Sequence, residues 1–464
     1  MKSALCIVTA LTAIGFYGFA REISVTPDEF AESQQWVAAR LEGGNRPMPE
    51  ESQRMLFSAT PPFSFQLGGK PSAELLMGWV LKRSTRSVSS ADSDNGKIEH
   101  TLTYTHRQTG LVVRCLAVEY RDFPTVEWTL FFKNTGTNDT PILSEIQPLD
   151  MLLDRSAHGE FVPHHQKGDD CSPDSYEPRQ SVLGPKSEQR FASVGGRPSN
   201  QGFPYFNIEQ PGEGLIVVVG WPGQWAAQFT RDADKGLRVR AGQELTRFKL
   251  RPGEEVRTPL IVLQFWKGDR IHAQNVWRRW MLAHNLPRTS DGKPPQPMWT
   301  SCSGGFFPGL KCNEADELRF IDAFTQAGIR LDYWWMDAGW YPCGDGWPNV
   351  GTWTVDPVRF RRGLKAISDH AHAKGMGLIV WFEPERVTLS TWLHSHPTGW
   401  TAMSGWGGSL TFPRRVRAWC RPFAANTAPM RRPVSRCAGS MRTGDMRWPT
   451  WMTPPRSAKS RAKS

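Results

Sequence analysis

The fold of this chain is decided by the stretch Leu331-Asp332-Tyr333-Trp334-Trp335-Met336-Asp337-Ala338-Gly339-Trp340-Tyr341. Two further segments follow it, Gly351-Thr352-Trp353-Thr354-Val355-Asp356-Pro357 and Gly375-Met376-Gly377-Leu378-Ile379-Val380-Trp381-Phe382-Glu383-Pro384-Glu385-Arg386. They occur at the spacing of successive βα units, and each pairs apolar residues with a carboxylate and an aromatic. A parallel β/α barrel presents its functional groups in this way, at the carboxyl ends of its strands.

Working outward, Pro297 to Ser303 and Ile329 to Met336 read as strands, and Met376 to Phe382 as a third. Asn313 to Ala327 reads as a helix with Leu318, Ile321 and Phe324 inward, and Gly363 to Lys374 as a second helix. About three βα units are visible, where a closed barrel needs eight. The segment Pro287 to Pro297, rich in Pro and polar residues, reads as a linker. Before it, Asp269 is placed to cap a helix through Asn285, with Ile271, Val276, Trp277, Trp280 and Met281 on its apolar side.

From about Phe63 to Phe265 the pattern is of strands divided by Gly and Pro turns, which implies a large β-sandwich. Val126, Trp128, Leu130 and Phe132 alternate onto one face, and Asn134-Thr135-Gly136 closes that run. Other strands are expected in GLIVVVGW, QWAAQFTRD, ELTRFKL and RTPLIVLQFW. Pro27 to Leu41 reads as a helix with Pro at its start and Gly43-Gly44 past its end. At the N-terminus, Met1-Lys2-Ser3, the apolar run Ala4 to Ala20 and the small residues before Arg21 read as a secretory signal peptide. The expected location is therefore secreted or periplasmic. A membrane anchor is the rival, but the run is short for a span and no second apolar stretch appears.

The net charge of +11 is concentrated at one end. Residues Thr401 to Ser464 hold 13 Lys and Arg against the single acid Asp445, leaving 43 bases and 44 acids elsewhere. The main body is nearly neutral, so nucleic acid is not expected as its partner. Beyond about Gly405 apolar periodicity disappears. A disordered basic tail, an anion-binding arm and a shifted reading frame compete as accounts of it. The third is preferred, because a barrel halted after three strands would expose an edge that folds normally cover.

Asp337, immediately after an apolar strand, is suited to accept hydrogen bonds from sugar hydroxyls, and the indoles of Trp334, Trp335, Trp340, Trp347 and Trp353 suit the apolar face of a pyranose ring. Core packing accounts for some of those indoles. Glu383 and Glu385 could form an acid and base pair, yet neighbours two apart on one extended segment need not flank a common ligand, so a pocket or ion-pair role is preferred. The string around His164, His165, Asp170 and Cys171 lacks standard metal-ligand spacing, so no metal is expected and the loop is read as reaching toward the barrel mouth. Of eight cysteines, a pair among Cys302, Cys312 and Cys343 could staple barrel loops, and free thiols are an equal reading.

On WWMDAGWY, on VGTWTVDPVRFRRGLKAISDHAHAKGMGLIVWFEPERV and on SHPTGW, the chain from Arg21 to about Gly405 resembles the α-galactosidases of glycoside hydrolase family 36, the melibiase-type enzymes. The resemblance implies an N-terminal β-supersandwich followed by a (β/α)8 TIM-type barrel, here incomplete. It also implies retaining hydrolysis of terminal α-D-galactosides in oligosaccharides or polysaccharides, with no metal or organic cofactor. Asp337 matches the aspartate that binds galactose hydroxyls, and Trp353 the tryptophan lining the galactose pocket. Asp337-Ala338 stands where many relatives have two adjacent acids, and Gly351-Thr352-Trp353 where many have Gly-Asp-Trp. The family's nucleophile and acid/base aspartates have no counterpart, and Asp445 follows no apolar strand.

The expected organisation is a signal peptide (1–20), a β-sandwich domain with terminal and linking helices (21–286), a linker (287–297), the first part of a glycosidase barrel (298–405) and a basic tail (406–464). The expected substrate-binding set is Asp337, Trp340, Trp353, Glu383 and Glu385, with the catalytic pair not identified. The functional expectation is an α-galactosidase-type glycoside hydrolase, truncated and inactive alone. The alternative is a carbohydrate-binding protein without catalysis. No membrane partner is expected, and a homo-oligomer is left open.

Overall fold

The computed structural model describes residues 23–43, 60–90, 93–155, 158–303, 310–344 and 353–383. The signal segment, Trp347, Glu385 and the basic tail lie outside these. The described chain is mostly β, with few helices.

A ten-stranded antiparallel sheet dominates the region before residue 287. Its central strands are Leu260–Lys267, Thr125–Asn134 and Leu111–Tyr120, with Ile261 opposite Trp128 and Cys115 opposite Leu130. Two four-stranded sheets contribute to the same core. One is centred on Trp225–Arg231 and Gly236–Gln243, the other on Ser64–Leu67 and Leu143–Gln147. Period-two alternation brings Val126, Trp128, Leu130 and Phe132 into that core, as the sequence pattern requires. There they meet Phe229 and Val239 of one small sheet and Phe65 and Ile146 of the other.

The helix Pro27–Arg40 starts at a capping box, in which the Thr26 hydroxyl accepts from the Glu29 N–H and the Glu29 carboxylate accepts from the Thr26 N–H. Trp36 from this helix stacks on Trp128 with ring centroids 5.2 Å apart. Asp269 caps the helix Arg270–Trp280 by accepting from the Ile271 and His272 N–H groups. Two residues expected on that helix's apolar side, Ile271 and Met281, are exposed instead, and the buried stripe is Ala273, Val276 and Trp280. The three-four spacing of those three residues faces the sheet, whereas Ile271 falls outside the stripe and Met281 begins a π turn that rotates the face. The expected strand in ELTRFKL shrinks to Arg247–Phe248. Leu245 there has φ +57° and is 89 % exposed, so the run breaks at a left-handed residue.

The segment Pro287–Pro297 contains no helix or strand. After it, Thr300–Cys302, Tyr333–Met336 and Gly377–Val380 form a three-stranded parallel sheet with Tyr333–Met336 in the middle. Helices Glu314–Gln326 and Lys365–Ala373 connect successive strands. Asn313 caps the first helix by accepting from the Asp316 N–H. Ile321 and Ile367 from the two helices, with Trp334 and Met336 from the middle strand, make a separate buried core. The strands are shorter than the apolar runs suggest, because Ile329 to Asp332 form the approach from the Gly328 turn.

Candidate functional site

The carboxyl end of the parallel sheet is organised by its loops. In the middle strand, Trp334 and Met336 point to the helices, where the buried Glu317 accepts from the Trp334 indole at 2.7 Å and from the Ser303 hydroxyl at 2.6 Å. Burial pushes the Glu317 carboxyl up, and the bonds from Ser303 and Trp334 oppose that rise. On the opposite face Trp335 pairs with Ile379 and Cys302 in register. Trp335 is 37 % and Ile379 40 % exposed.

Asp337 follows this strand, and its carboxylate accepts from the Ala338 N–H at 2.7 Å. The loop beyond is fastened by Arg359. Its guanidinium donates to the carbonyls of Leu310 and Cys312 at 3.0 Å, of Tyr341 at 2.7 Å and of Gly339. Asp356 holds the other side of Arg359 at 2.9 Å. Burial alone would push the Asp356 carboxyl up, but its bonds to the Arg359 and Val358 N–H groups and to the Arg359 guanidinium hold it below the usual range. Gly339 is required here: at φ +104° any Cβ would meet the Leu310 backbone at 2.9 Å.

Trp340 and Trp353 come together with ring centroids 6.2 Å apart. Phe382 packs on both, at 5.1 Å from Trp340 and 5.4 Å from Trp353. Trp340 is only 2 % exposed and donates its indole N–H to the Trp381 carbonyl at 2.8 Å, so it is a wall behind Trp353 rather than an open platform. Trp353 is half-buried. The arrangement provides an aromatic wall, with the Asp337 carboxylate three residues before Trp340 at the end of the neighbouring strand; aromatic faces and a carboxylate are suited to a polyhydroxylated ring.

Glu383 lies three residues past the third strand and is 3 % exposed. Its carboxylate is bound at 2.7 Å by Arg197, which belongs to the β-rich region. Glu383 is therefore an ion-paired residue in the described structure. Glu385 lies outside the described residues.

Arg197 and Arg359 were not singled out from sequence. Arg359 could have been suspected from Asp356-Pro357-Val358-Arg359, where an acid caps its own turn. Nothing adjacent to Arg197 announces a partner 186 positions away.

His164 and His165 lie in the strand Val162–Gln166, paired with Pro178–Gln180 on one side and Tyr205–Gln210 on the other, and not in the loop expected from the sequence, because both edges of that segment find strand partners. With Asp170 and Cys171 they form no metal-binding group among the described residues. His164 pairs with Glu209, His165 packs on Phe191 at 4.5 Å, and Lys167 pairs with Asp170 at 2.9 Å. Cys115, Cys171, Cys302, Cys312 and Cys343 are unbridged. Burial pushes the Cys312 thiol up to about 12, so it is no nucleophile. A cleft of about 520 Å³ lies on the β-rich region, lined by Arg190, Gln228, Arg240, Glu244 and other residues, none of them aromatic. It offers no stacking surface for a sugar ring. Among the described residues no helix is long and apolar enough to cross a membrane.

Residues 309–410 match the family model described as Melibiase. Alpha-galactosidase 2 of Pediococcus pentosaceus is 22 % identical over 300 residues, covering 64 % of this chain and 36 % of that protein. Alpha-galactosidase Mel36A of Lactobacillus acidophilus is 24 % identical over 221 residues, covering 45 % of this chain and 29 % of that protein. Among solved structures, the alpha-galactosidase from Lactobacillus brevis superposes with TM-score 0.56 at 16 % identity, over 73 % of this chain and 46 % of that one. The family 36 alpha-galactosidase AgaA from Geobacillus stearothermophilus, in complex with raffinose, superposes with TM-score 0.54 at 17 % identity, over 73 % of this chain and 48 % of that one. The same enzyme has also been solved with stachyose. The chain thus carries a Melibiase match over its parallel β/α region and shares its fold with family 36 α-galactosidases. It spans about a third of the curated relatives' length and about half that of the solved structures.

Proposed function

We propose that this protein is a glycoside hydrolase of α-galactosidase type, whose described residues form a half-site for a terminal α-galactoside. The observation that carries the reading is the aromatic wall of Trp340, Trp353 and Phe382 past the carboxyl ends of adjacent parallel strands, the middle one of which is followed directly by Asp337. Asp337 would take sugar hydroxyls and Trp353 the apolar ring face, with Trp340 supporting it. The substrate class is an α-galactoside oligosaccharide of the raffinose or stachyose kind, the sugars bound by the relative from Geobacillus stearothermophilus. No metal or organic cofactor is needed for this chemistry.

In the same reading, the sheets before residue 287 form a supersandwich, and the three parallel strands are the first part of a (β/α)8 barrel. Trp335 and Ile379 favour this, because they lie on the face that a closed barrel fills with side chains from its other strands. Retaining hydrolysis needs two carboxyl groups about 5–5.5 Å apart across the anomeric carbon. The sequence carries no counterpart of the family's two catalytic aspartates, and Glu383 is bound by Arg197, so this chain by itself is proposed to bind the sugar without turning it over. Export through residues 1–20 belongs to the same proposal.

The test is titration of tryptophan fluorescence with melibiose, raffinose and, as a control, maltose. Saturable quenching by the two galactosides and none by maltose is expected. Equal responses to all three, or none to any, would sink the half-site.

A further inference from the structure

We infer that Arg197, carried by the β-rich region, is a positioning residue of the sugar site: its ion pair with Glu383 fixes the end of the third parallel strand and the aromatic wall formed there. The inference deepens the half-site reading and rests on it for its functional part.

Glu383 is buried three residues past the strand Gly377–Val380, where an ionised carboxylate is costly unless a cation reaches it. Arg197 Nη2 does so at 2.7 Å. The loop that delivers Arg197 is pinned on every side. Val194 N–H donates to the Asn200 carbonyl at 3.1 Å, and the Asn200 amide returns a bond to the Val194 carbonyl at 3.2 Å. Gly196 N–H donates to the Gln224 side chain at 3.2 Å. The indole of the buried Trp225 donates to the Pro198 carbonyl at 2.6 Å, one residue past Arg197. Behind the loop, Asp169 N–H donates to the Ser199 carbonyl at 2.6 Å and Gln201 N–H to the Asp169 carbonyl at 3.0 Å. Gly168 permits that contact, since at φ +84° a Cβ would lie 2.4 Å from the Gly202 nitrogen. The segment after His164 and His165 therefore backs the Arg197 loop. A side chain held on a support fastened this way can impose a position on its partner.

What it positions follows from the chain order. Phe382, the residue before Glu383, packs on Trp340 and Trp353. Trp381, one earlier, donates its N–H to the Met336 carbonyl at 2.9 Å and accepts the Trp340 indole. Strand pairing ends there, so Glu383 is the anchor beyond it. The β-rich region thereby holds the rim of the site, and the half-site is built from both parts of the chain.

The experiment uses the full chain and the variants Arg197→Ala, Arg197→Lys, Glu383→Gln and the Arg197→Ala, Glu383→Gln double. Hydrogen exchange is followed in peptides spanning 377–383, with the helix Pro27–Arg40 as internal control. Exchange in 377–383 should quicken about tenfold in Arg197→Ala, the helix staying unchanged, with Arg197→Lys between it and the parent, as expected when a buried carboxylate loses its cation. The double variant should exchange no faster than Arg197→Ala, because both changes remove one interaction. Melibiose affinity should fall about tenfold in Arg197→Ala and recover partly in Arg197→Lys, as expected of a residue that acts by holding the wall in place. Unchanged exchange at 377–383 in Arg197→Ala overturns the inference, as does parent-like melibiose affinity. Exchange that rises equally in the helix reports global unfolding, and Arg197→Lys, Glu383→Gln and the double variant of those two then decide: additive effects overturn the coupling and non-additive ones support it. A parent chain that binds no melibiose, yet shows the exchange coupling, supports the Arg197–Glu383 anchor and overturns the half-site reading alone.

Discussion

At the scale of single residues, Arg359 shows how one cation can organise a loop. It joins the carbonyls of Leu310, Cys312, Gly339 and Tyr341 to the carboxylate of Asp356. Removing it would take that donor from several inward carbonyls and leave Asp356 without its cation, with only backbone N–H groups as donors. Arg359→Ala should lower stability by about 3–5 kcal/mol, as for one partner removed from a largely buried ion pair, read as a shift of the urea midpoint followed by tryptophan fluorescence. Arg359→Lys should recover little of that, since an ammonium cannot span carbonyls on two sides as the planar fork does. Asp337 carries a different expectation, because its carboxylate faces no such demand from the fold. Asp337→Ala should leave the urea midpoint nearly unchanged and weaken galactoside binding by roughly 1–3 kcal/mol, the range for hydrogen bonds to a charged group. An Asp337→Ala chain that binds melibiose like the parent would remove this residue from the site.

Within elements, the helix Pro27–Arg40 carries a buried carboxylate with a pH signature. Burial pushes the Glu32 carboxyl from its ordinary 4.5 up to about 7, with Glu213 adding to the rise and Lys267 opposing it. A raised carboxyl pKa means that the folded chain holds a proton which the unfolded chain releases. The contribution of Glu32 is therefore complete below about pH 4.5 and is lost as pH rises through about 7. Over that window roughly 3 kcal/mol of stability is at stake. Glu32→Gln should flatten this part of the stability profile, so a variant whose urea midpoint falls as steeply as the parent's between pH 5 and 8 would disprove the assignment. Such elements were legible because their signals are local. Thr26, Pro27 and Glu29 spell a helix start, and the alternation from Val126 to Phe132 spells a half-buried strand. Ile271, Met281 and Leu245 were misread because hydrophobicity alone does not report a π turn or a left-handed residue. Of the site, Asp337 and the aromatic wall could be read from their strand ends. The Arg197 contact could not, since it depends on how two distant parts of the chain meet.

For the whole molecule, the exposed face of the parallel sheet and the sequence expectation that no catalytic carboxylate pair is present lead to one expected outcome. Trp335 and Ile379 sit side by side on that face, and both outer strands have one unpaired edge among the described residues. Such a surface is normally covered by further strands, and left open it promotes association. The purified chain should therefore hydrolyse an aryl α-galactoside negligibly and have a marked tendency to aggregate. Nucleophile and acid act as a unit, so a site without both retains only what binding and positioning provide. Trp335→Thr together with Ile379→Thr should improve solubility without creating activity, because it treats the open face and supplies no carboxylate. Reading the coding sequence in its other frames beyond about Gly405 should reveal an apolar strand ending in an aspartate, and the chain translated that way should turn over the aryl galactoside while the present one does not. Ordinary turnover by the present chain would mean that residues beyond Glu383 complete both the barrel and the catalytic pair, with the basic tail folding where its composition gives no sign of a core.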